Sequence, residues 1–129
     1  MADAIAAGIR ETGGKSLVKL YTVSKADKND VIAEVFKSRA ILVGSPTVGK
    51  GITSAMAGVL EMIEGLRFKG KKAAAFGCYG WSGEAVAKIN KILAASGFTL
   101  LNDGIKALWD PDADALAACN EYGKGIAGQ

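Results

Sequence analysis

The chain has 129 residues, of which 50% are hydrophobic and 22% are charged, and its net charge is +3. This length and balance are typical of one globular domain with a single core, here spanning residues 1–129. A charge this small, spread along the chain, does not indicate binding to nucleic acid or to a membrane surface. No apolar run approaches the ~20 residues needed to cross a bilayer, and the start has no secretory pattern.

The chain has no histidine and two cysteines, Cys78 and Cys119. Ser–His and Cys–His catalytic arrangements are therefore excluded, and a zinc or di-iron site within this chain is not expected. The two thiols lack metal-ligand spacing. Since unpaired cysteines suit a reducing compartment, we expect a cytoplasmic protein.

Helical and strand-like patterns alternate along the chain. Helices are predicted over 1–12, 29–36, 52–65, 85–93 and from 112 onward, and strands over 17–23, 40–44, 73–76, 98–101 and 105–109. Strand 17–23 alternates and is expected near a sheet edge, whereas strand 40–44 is apolar throughout and is expected to be buried on both faces. The second helix is expected to turn Val31, Ile32, Val35 and Phe36 toward the core, and the last helix Leu116, Cys119 and Ile126. The alternation predicts a three-layer α/β sandwich with a parallel sheet.

Residues 73–83 read Ala-Ala-Ala-Phe-Gly-Cys-Tyr-Gly-Trp-Ser-Gly, an apolar strand that runs into a glycine-rich loop. In open parallel sheets, ligands bind outside the carboxyl ends of the strands. The loop aromatics Tyr79 and Trp81 are therefore candidates for stacking on a planar ligand. The alternative is that they only cap the end of the core.

The loop after strand 40–44 matches G-x-x-x-x-G-K, from Gly44 to Lys50, in the strand–loop–helix context of a phosphate-binding loop. Gly51 stands where a Ser or Thr would ligate Mg²⁺, and Pro46 removes a backbone N–H. A P-loop nucleotide-binding protein is thus the disfavoured reading. The other interpretation is that the hydroxyls and backbone of this loop contact a heteroaromatic ring and face loop 78–81 across a cleft.

A basic turn precedes strand 73–76 and consists of Arg67, Lys69, Lys71 and Lys72. It could bind phosphate or an acidic partner. A turn that precedes a strand lies at the end of the sheet opposite the ligand-binding loops. We therefore expect a solvated turn.

Two motifs, Gly44-Ser-Pro-Thr and Phe76-Gly-Cys-Tyr-Gly-Trp-Ser-Gly-Glu, resemble the flavodoxin-like domain of flavodiiron proteins, in which this domain accompanies a di-iron domain that reduces oxygen or nitric oxide. The similarity extends over nearly the whole chain and is closest to the anaerobic nitric oxide reductase flavorubredoxins. It implies FMN, bound noncovalently at the strand ends. The residues that it places around the flavin are Ser45, Pro46, Thr47, Val48, Phe76, Gly77, Cys78, Tyr79, Gly80 and Trp81.

The resemblance also implies a flavodoxin-like α/β/α sandwich that lacks the usual first strand and phosphate loop, since Met1 aligns inside the family's first helix. The implied function is electron transfer from rubredoxin or a flavin- or NADH-dependent reductase to a di-iron centre on another domain, with no catalytic residue in this chain. The alternative is a flavodoxin-fold fragment or interaction module that does not hold FMN. A sheet short of one strand could also pair with a second chain, giving a homo-oligomer.

Overall fold

Five helices and four strands form in the computed structural model, which describes residues 1–129. The helices are α1 (Ala2–Glu11), α2 (Lys28–Lys37), α3 (Ser54–Leu66), α4 (Glu84–Ala95) and α5 (Ala113–Ala127). The strands are β1 (Ala40–Gly44), β2 (Lys72–Tyr79), β3 (Thr99–Leu100) and β4 (Ile105–Leu108). All strand pairings are parallel, with β2 between β1 on one side and β3 and β4 on the other. This confirms the predicted flavodoxin-like α/β fold.

The sheet separates two apolar clusters, which give the fold its three layers. The larger cluster joins β2 to α2, α3 and α4, and the smaller one joins it to α1 and α5. Ala73 and Ala75 face the first cluster and Ala74 faces the second, and all three are fully buried. Their alternation follows from the two-residue period of a strand, and their small side chains let helices approach both faces of the sheet.

Residues 17–23 form no strand, so that prediction is wrong. Val18 contacts the smaller cluster and Val23 the larger one, but no backbone group of the segment bonds to the sheet. Leu17, Leu20 and Tyr21 are exposed. The alternating pattern reflects that some side chains of the segment pack against the core while others are exposed. A strand also needs a neighbouring strand as its hydrogen-bonding partner, and this segment has none.

Strand β1 forms as predicted, but its expected burial on both faces is wrong, because only Val43 is buried. The reason lies in the order of the strands. β1 pairs with β2 alone, so its other edge carries backbone groups without a strand partner.

Two residues assigned to core-facing positions are exposed instead, Phe36 at 56% and Leu116 at 39%. Phe36 lies at the end of α2, where its ring packs against Phe68 with the ring centroids 5.0 Å apart. Helical spacing identified the correct faces, since Val35 and Cys119 are buried. Both exposed residues lie at the margins of those faces.

Two strands, β3 and β4, form on either side of residues 102–104, as predicted, and the observed excursion also includes Leu101. Asn102 holds the excursion, because its Oδ1 accepts hydrogen bonds from the Gly104 N–H at 2.8 Å and the Tyr122 hydroxyl at 2.6 Å. Both halves pair with β2, so β4 carries its carboxyl end to the same edge as the ends of β1 and β2.

Two lysines of the basic turn bind backbone carbonyls at helix ends. Lys71 Nζ donates to the carbonyl of Phe36, in the last turn of α2, at 2.9 Å and to that of Ser38, just after the helix, at 2.6 Å. Lys72 Nζ donates to the Gln129 carbonyl. A cation is favourable at a helix C-terminus, where the last carbonyls lack partners. The turn lies at the amino end of β2, opposite the loops described next. No helix of the chain combines the length and apolarity required to cross a membrane.

Candidate functional site

Two loops lie side by side at the carboxyl ends of β1 and β2. The Ser45 N–H donates to the Phe76 carbonyl at 3.2 Å, and the Thr47 N–H donates to the Cys78 carbonyl at 2.9 Å. These bonds continue the parallel pairing of the strands beyond Gly44. The first loop is therefore held against β2 by its own backbone.

A cleft of about 220 Å³ opens between these loops and the start of α1. Its lining residues are Met1, Ala2, Gly44, Ser45, Pro46, Phe76, Gly77, Cys78 and Pro111. The cleft thus brings together five of the ten predicted flavin contacts, while Thr47, Val48, Tyr79, Gly80 and Trp81 lie outside its lining. Another cleft, of about 300 Å³, lies between Arg67–Gly70 and Ala95–Gly97 at the opposite end of the sheet.

Glycines allow the backbones under this site to approach closely. A Cβ at Gly77 would lie 2.2 Å from the Ser45 carbonyl oxygen, and one at Gly44 would lie 2.1 Å from the Phe76 ring. Contacts this short are not possible for real side chains. The floor of the site therefore depends on bare backbone at these two positions.

The Ser45 hydroxyl is used within the protein. Ser45 is buried, its Oγ donates to the Pro46 carbonyl at 2.8 Å, and it accepts from the Thr53 N–H at 3.0 Å. Thr53 is the residue that precedes α3. The hydroxyl therefore shapes the loop and its entry into the helix, which leaves the loop backbone facing the cleft.

The tip of the first loop is a two-residue turn. Val48 and Gly51 exchange backbone hydrogen bonds of 3.0 and 2.9 Å, and Gly49 and Lys50 between them have φ of 54° and 62°. Two positive φ angles are typical of a type I′ turn. A phosphate-binding loop presents free N–H groups, whereas here those of Val48 and Gly51 are bonded within the loop, which argues against the P-loop alternative.

Three aromatic side chains lie around the carboxyl ends of the strands. Trp81 is 95% exposed, while Tyr79 is half-buried with Lys106 Nζ 5.8 Å from its ring centroid. Trp109, which the sequence analysis assigned only to a strand, lies over Gly80, and its N–H bonds to the Tyr79 carbonyl. A signal was available, because Trp109 directly follows β4 and so belongs to a third loop at this edge of the sheet.

The first turn of α4 carries a carboxylate, that of Glu84, close to the site. Hydrogen bonds from Ser82 and from its own backbone N–H, together with the positive charges of Lys50 and Lys88, hold the pKa of Glu84 below its usual value. The Oε2 atom of Glu84 is buried and has no hydrogen-bond partner.

Of the two free thiols, Cys78 lines the cleft and Cys119 is buried in the core, where burial raises the pKa of Cys119.

The site suits a flavin ring better than it suits a phosphate. The carboxyl ends of β1 and β2 offer the backbone of two loops and an exposed indole at Trp81. Beside the start of α1, the cleft lining contains no cationic side chain, and the Met1 side chain makes no capping hydrogen bond. A phosphate there would meet chiefly the free backbone N–H groups of the first helical turn.

Comparisons with known proteins show the family of the chain. The Flavodoxin family profile matches residues 1–123. The chain is 48% identical to the anaerobic nitric oxide reductase flavorubredoxin of Aeromonas hydrophila and 45% identical to that of Escherichia coli O1:K1, in both cases over the whole chain. It spans only about a quarter of the length of these relatives, 26% and 27% respectively.

Solved structures give the same result for the fold. The rubredoxin oxygen:oxidoreductase of Desulfovibrio gigas superposes with a TM-score of 0.91 at 31% identity, covering 98% of this chain and 31% of that one. A flavodoxin from the domain Archaea gives 0.85 at 29% identity, covering 98% of this chain and 85% of that one. The similarity to flavodoxins and flavorubredoxins implies FMN as the cofactor. The chain belongs to the flavodoxin family.

Proposed function

We propose that this chain is the FMN-dependent electron-transfer domain of a flavodiiron-type protein. It accepts single electrons from rubredoxin or from a flavin- or NADH-dependent reductase and passes them to a di-iron centre on another domain. The observation that carries the proposal is the junction of two loops at the ends of β1 and β2, beside the fully exposed Trp81. Support for the partners comes from similarity to a rubredoxin oxygen:oxidoreductase and to flavorubredoxins.

The chain's own residues bind and orient the flavin, and the bound FMN supplies the redox chemistry. In this proposal the Trp81 indole stacks on one face of the ring, because an exposed aromatic plane needs only a π-face to pair with. Pro46, Thr47 and Val48 present backbone to the other side, and Phe76 and Gly77 form the floor. Cys78 replaces a hydroxyl with a thiol, which is a weaker hydrogen-bond donor.

A titration with FMN and, in parallel, riboflavin tests this function. We expect both flavins to bind and to lose fluorescence, with FMN binding about tenfold more tightly, the effect of roughly one charge-assisted contact at the phosphate. Trp81→Ala should weaken both flavins by a similar factor, because it removes a contact to the ring that they share. Leu66→Ala, at an exposed leucine where α3 ends, is the control and should leave both affinities unchanged.

No binding of either flavin to the folded protein would contradict the proposal. It would support the alternative, a flavodoxin-fold interaction module that does not hold FMN. The observation that favours this alternative is that the cleft lining contains no cationic side chain.

We also infer that the chain forms homo-oligomers through the edge of the sheet that β1 forms. The unpaired edge of β1 and the exposed Leu17, Leu20 and Tyr21 together offer backbone and apolar groups to a second copy. Sedimentation velocity over a wide range of protein concentration should show self-association that Leu17→Lys shifts toward monomer. Leu66→Lys, at an exposed leucine of α3, should leave it unchanged, and a concentration-independent monomer would contradict the inference.

The cellular location that we propose is the cytoplasm. Both cysteines are free in the structure, Cys78 at the cleft and Cys119 in the core. A half-buried thiol beside a redox cofactor is maintained most readily in a reducing compartment.

A further inference from the structure

The start of α4 contacts the loop after β1 and directly follows the loop after β2. The Ala85 N–H donates to Thr47 Oγ1 at 3.2 Å, and Lys88 Nζ donates to the Lys50 carbonyl at 2.6 Å. Gly83, at the end of the loop after β2, is the residue that precedes the helix. The start of α4 thus adjoins both loops of the candidate flavin site.

The contact from Lys88 falls on the most unfavourable residue of the loop. Lys50 has a φ of 62°, a left-handed conformation in which the Cβ of an L-residue crowds the backbone. Gly49 adopts the same region without that penalty. A hydrogen bond from an ammonium group to the carbonyl of Lys50 therefore stabilises the turn at the point where its own conformational preference opposes it.

We propose that Lys88 is a positioning residue of the flavin site, which fixes the Val48–Gly51 turn through the Lys50 carbonyl and so orients the Thr47–Val48 backbone toward the ring. Its role in cofactor orientation rests on the proposed function. Its role in holding the turn does not depend on FMN.

Amide hydrogen exchange in the absence of flavin tests the turn directly. In the closed turn, the Val48 N–H is protected by its bond to the Gly51 carbonyl, and the Gly51 N–H by its bond to the Val48 carbonyl. In Lys88→Met we expect them to exchange about tenfold faster, the effect of losing one charge-assisted hydrogen bond. Lys88→Arg should restore protection, because a guanidinium can also donate to a carbonyl. Lys91→Met, at an exposed lysine of the same helix, should leave both rates unchanged.

A second variant tests the strain at Lys50. Lys50→Gly keeps the carbonyl that Lys88 binds but removes the left-handed penalty, so it should by itself slow exchange at Val48 and Gly51, and Lys88→Met should speed exchange by a similar factor in both backgrounds. Exchange that is no slower in Lys50→Gly would overturn the argument that Lys50 opposes the turn. Unchanged exchange at Val48 and Gly51 in Lys88→Met would overturn the proposal as a whole.

Flavin titration then addresses the consequence of an open turn. We expect Lys88→Met to weaken FMN and riboflavin alike, by about tenfold, because the turn contacts the ring that both flavins carry. Faster exchange with unchanged flavin affinity would overturn the positioning role. If the unsubstituted chain binds no flavin, the proposed function and the positioning role both fall, and the exchange rates still decide whether Lys88 holds the turn.

Discussion

Replacing Gly123 by alanine is expected to lower the free energy of unfolding by about 3 kcal/mol, toward the upper end of typical overpacking costs. A Cβ at this position of α5 would lie 2.1 Å from the Ile5 carbonyl oxygen and 3.1 Å from the Ile9 nitrogen, both in the backbone of α1. Backbone atoms inside a helix cannot yield as the end of a flexible side chain can. The two helices would have to separate.

The contact is reciprocal, which makes separation costly. A Cβ at Gly8 of α1 would lie 1.9 Å from the Asn120 carbonyl oxygen of α5. The two glycines therefore set the distance between the helices that cover one face of the sheet. Separating the helices would expose Ile5, Ile9 and Cys119, which form the centre of the smaller apolar cluster.

Gly125 provides a matched control within the same helix. A Cβ there would meet no atom within 4 Å. Gly125→Ala should therefore raise stability by about 0.5–1 kcal/mol, the general advantage of alanine over glycine in a helix. Urea unfolding followed by circular dichroism measures both variants. Equal effects of the two substitutions would show that α1 and α5 are not in close contact.

Gly77→Ala is expected to combine a loss of stability of about 2–3 kcal/mol with a weakening of FMN binding by at least about tenfold. A Cβ at Gly77 would lie 2.2 Å from the Ser45 carbonyl oxygen and 3.4 Å from Val86 Cγ2. Ser45 cannot move freely, because its hydroxyl is bonded on two sides and its N–H is bonded to β2. Relief of the contact would displace the whole first loop from the second.

Gly14→Ala, in the segment that follows α1, is the corresponding control. Its Cβ would meet nothing closer than 3.8 Å, an ordinary van der Waals distance. Both its stability and its FMN affinity should therefore stay close to those of the unsubstituted protein, with a change in stability below about 0.5 kcal/mol. Unfolding curves and flavin titrations of the two variants measure both quantities. FMN affinity in Gly77→Ala equal to that in Gly14→Ala would remove the junction of the two loops from the site.

Local sequence signals predicted those helices and strands whose positions depend on residues close together in the chain. Asp27 precedes α2 and accepts from the Asn29 N–H, and Asp112 precedes α5 and accepts from the Ala115 N–H. Such caps act over three residues and can be recognised in a sequence. The apolar run in β2 and the break at residues 101–104 were recognised for the same reason, since each depends on neighbours along the chain.

The sequence could also place the two loops at one edge of the sheet, because consecutive parallel strands end on the same side. It could not show that the Ser45 hydroxyl is bonded inside the loop, or that Lys88 reaches the Lys50 carbonyl, 38 residues away. Hydrogen bonds between distant segments leave no periodic trace in a sequence. Trp109 was missed as a neighbour of Gly80, although its position directly after β4 placed it at the same edge of the sheet.

By itself, the sequence determined the order of the five helices and of the strands from residue 40 onward, and the resemblance to the flavodoxin-like domain. Only the tertiary structure decided that residues 17–23 stay unpaired, that β1 is half-exposed, and that Gly8 and Gly123 set a helix contact. A pattern of apolar residues indicates which side chains become buried on folding. Pairing, exposure of an edge and close approach depend on which other backbone lies alongside, and that is a property of the assembled fold.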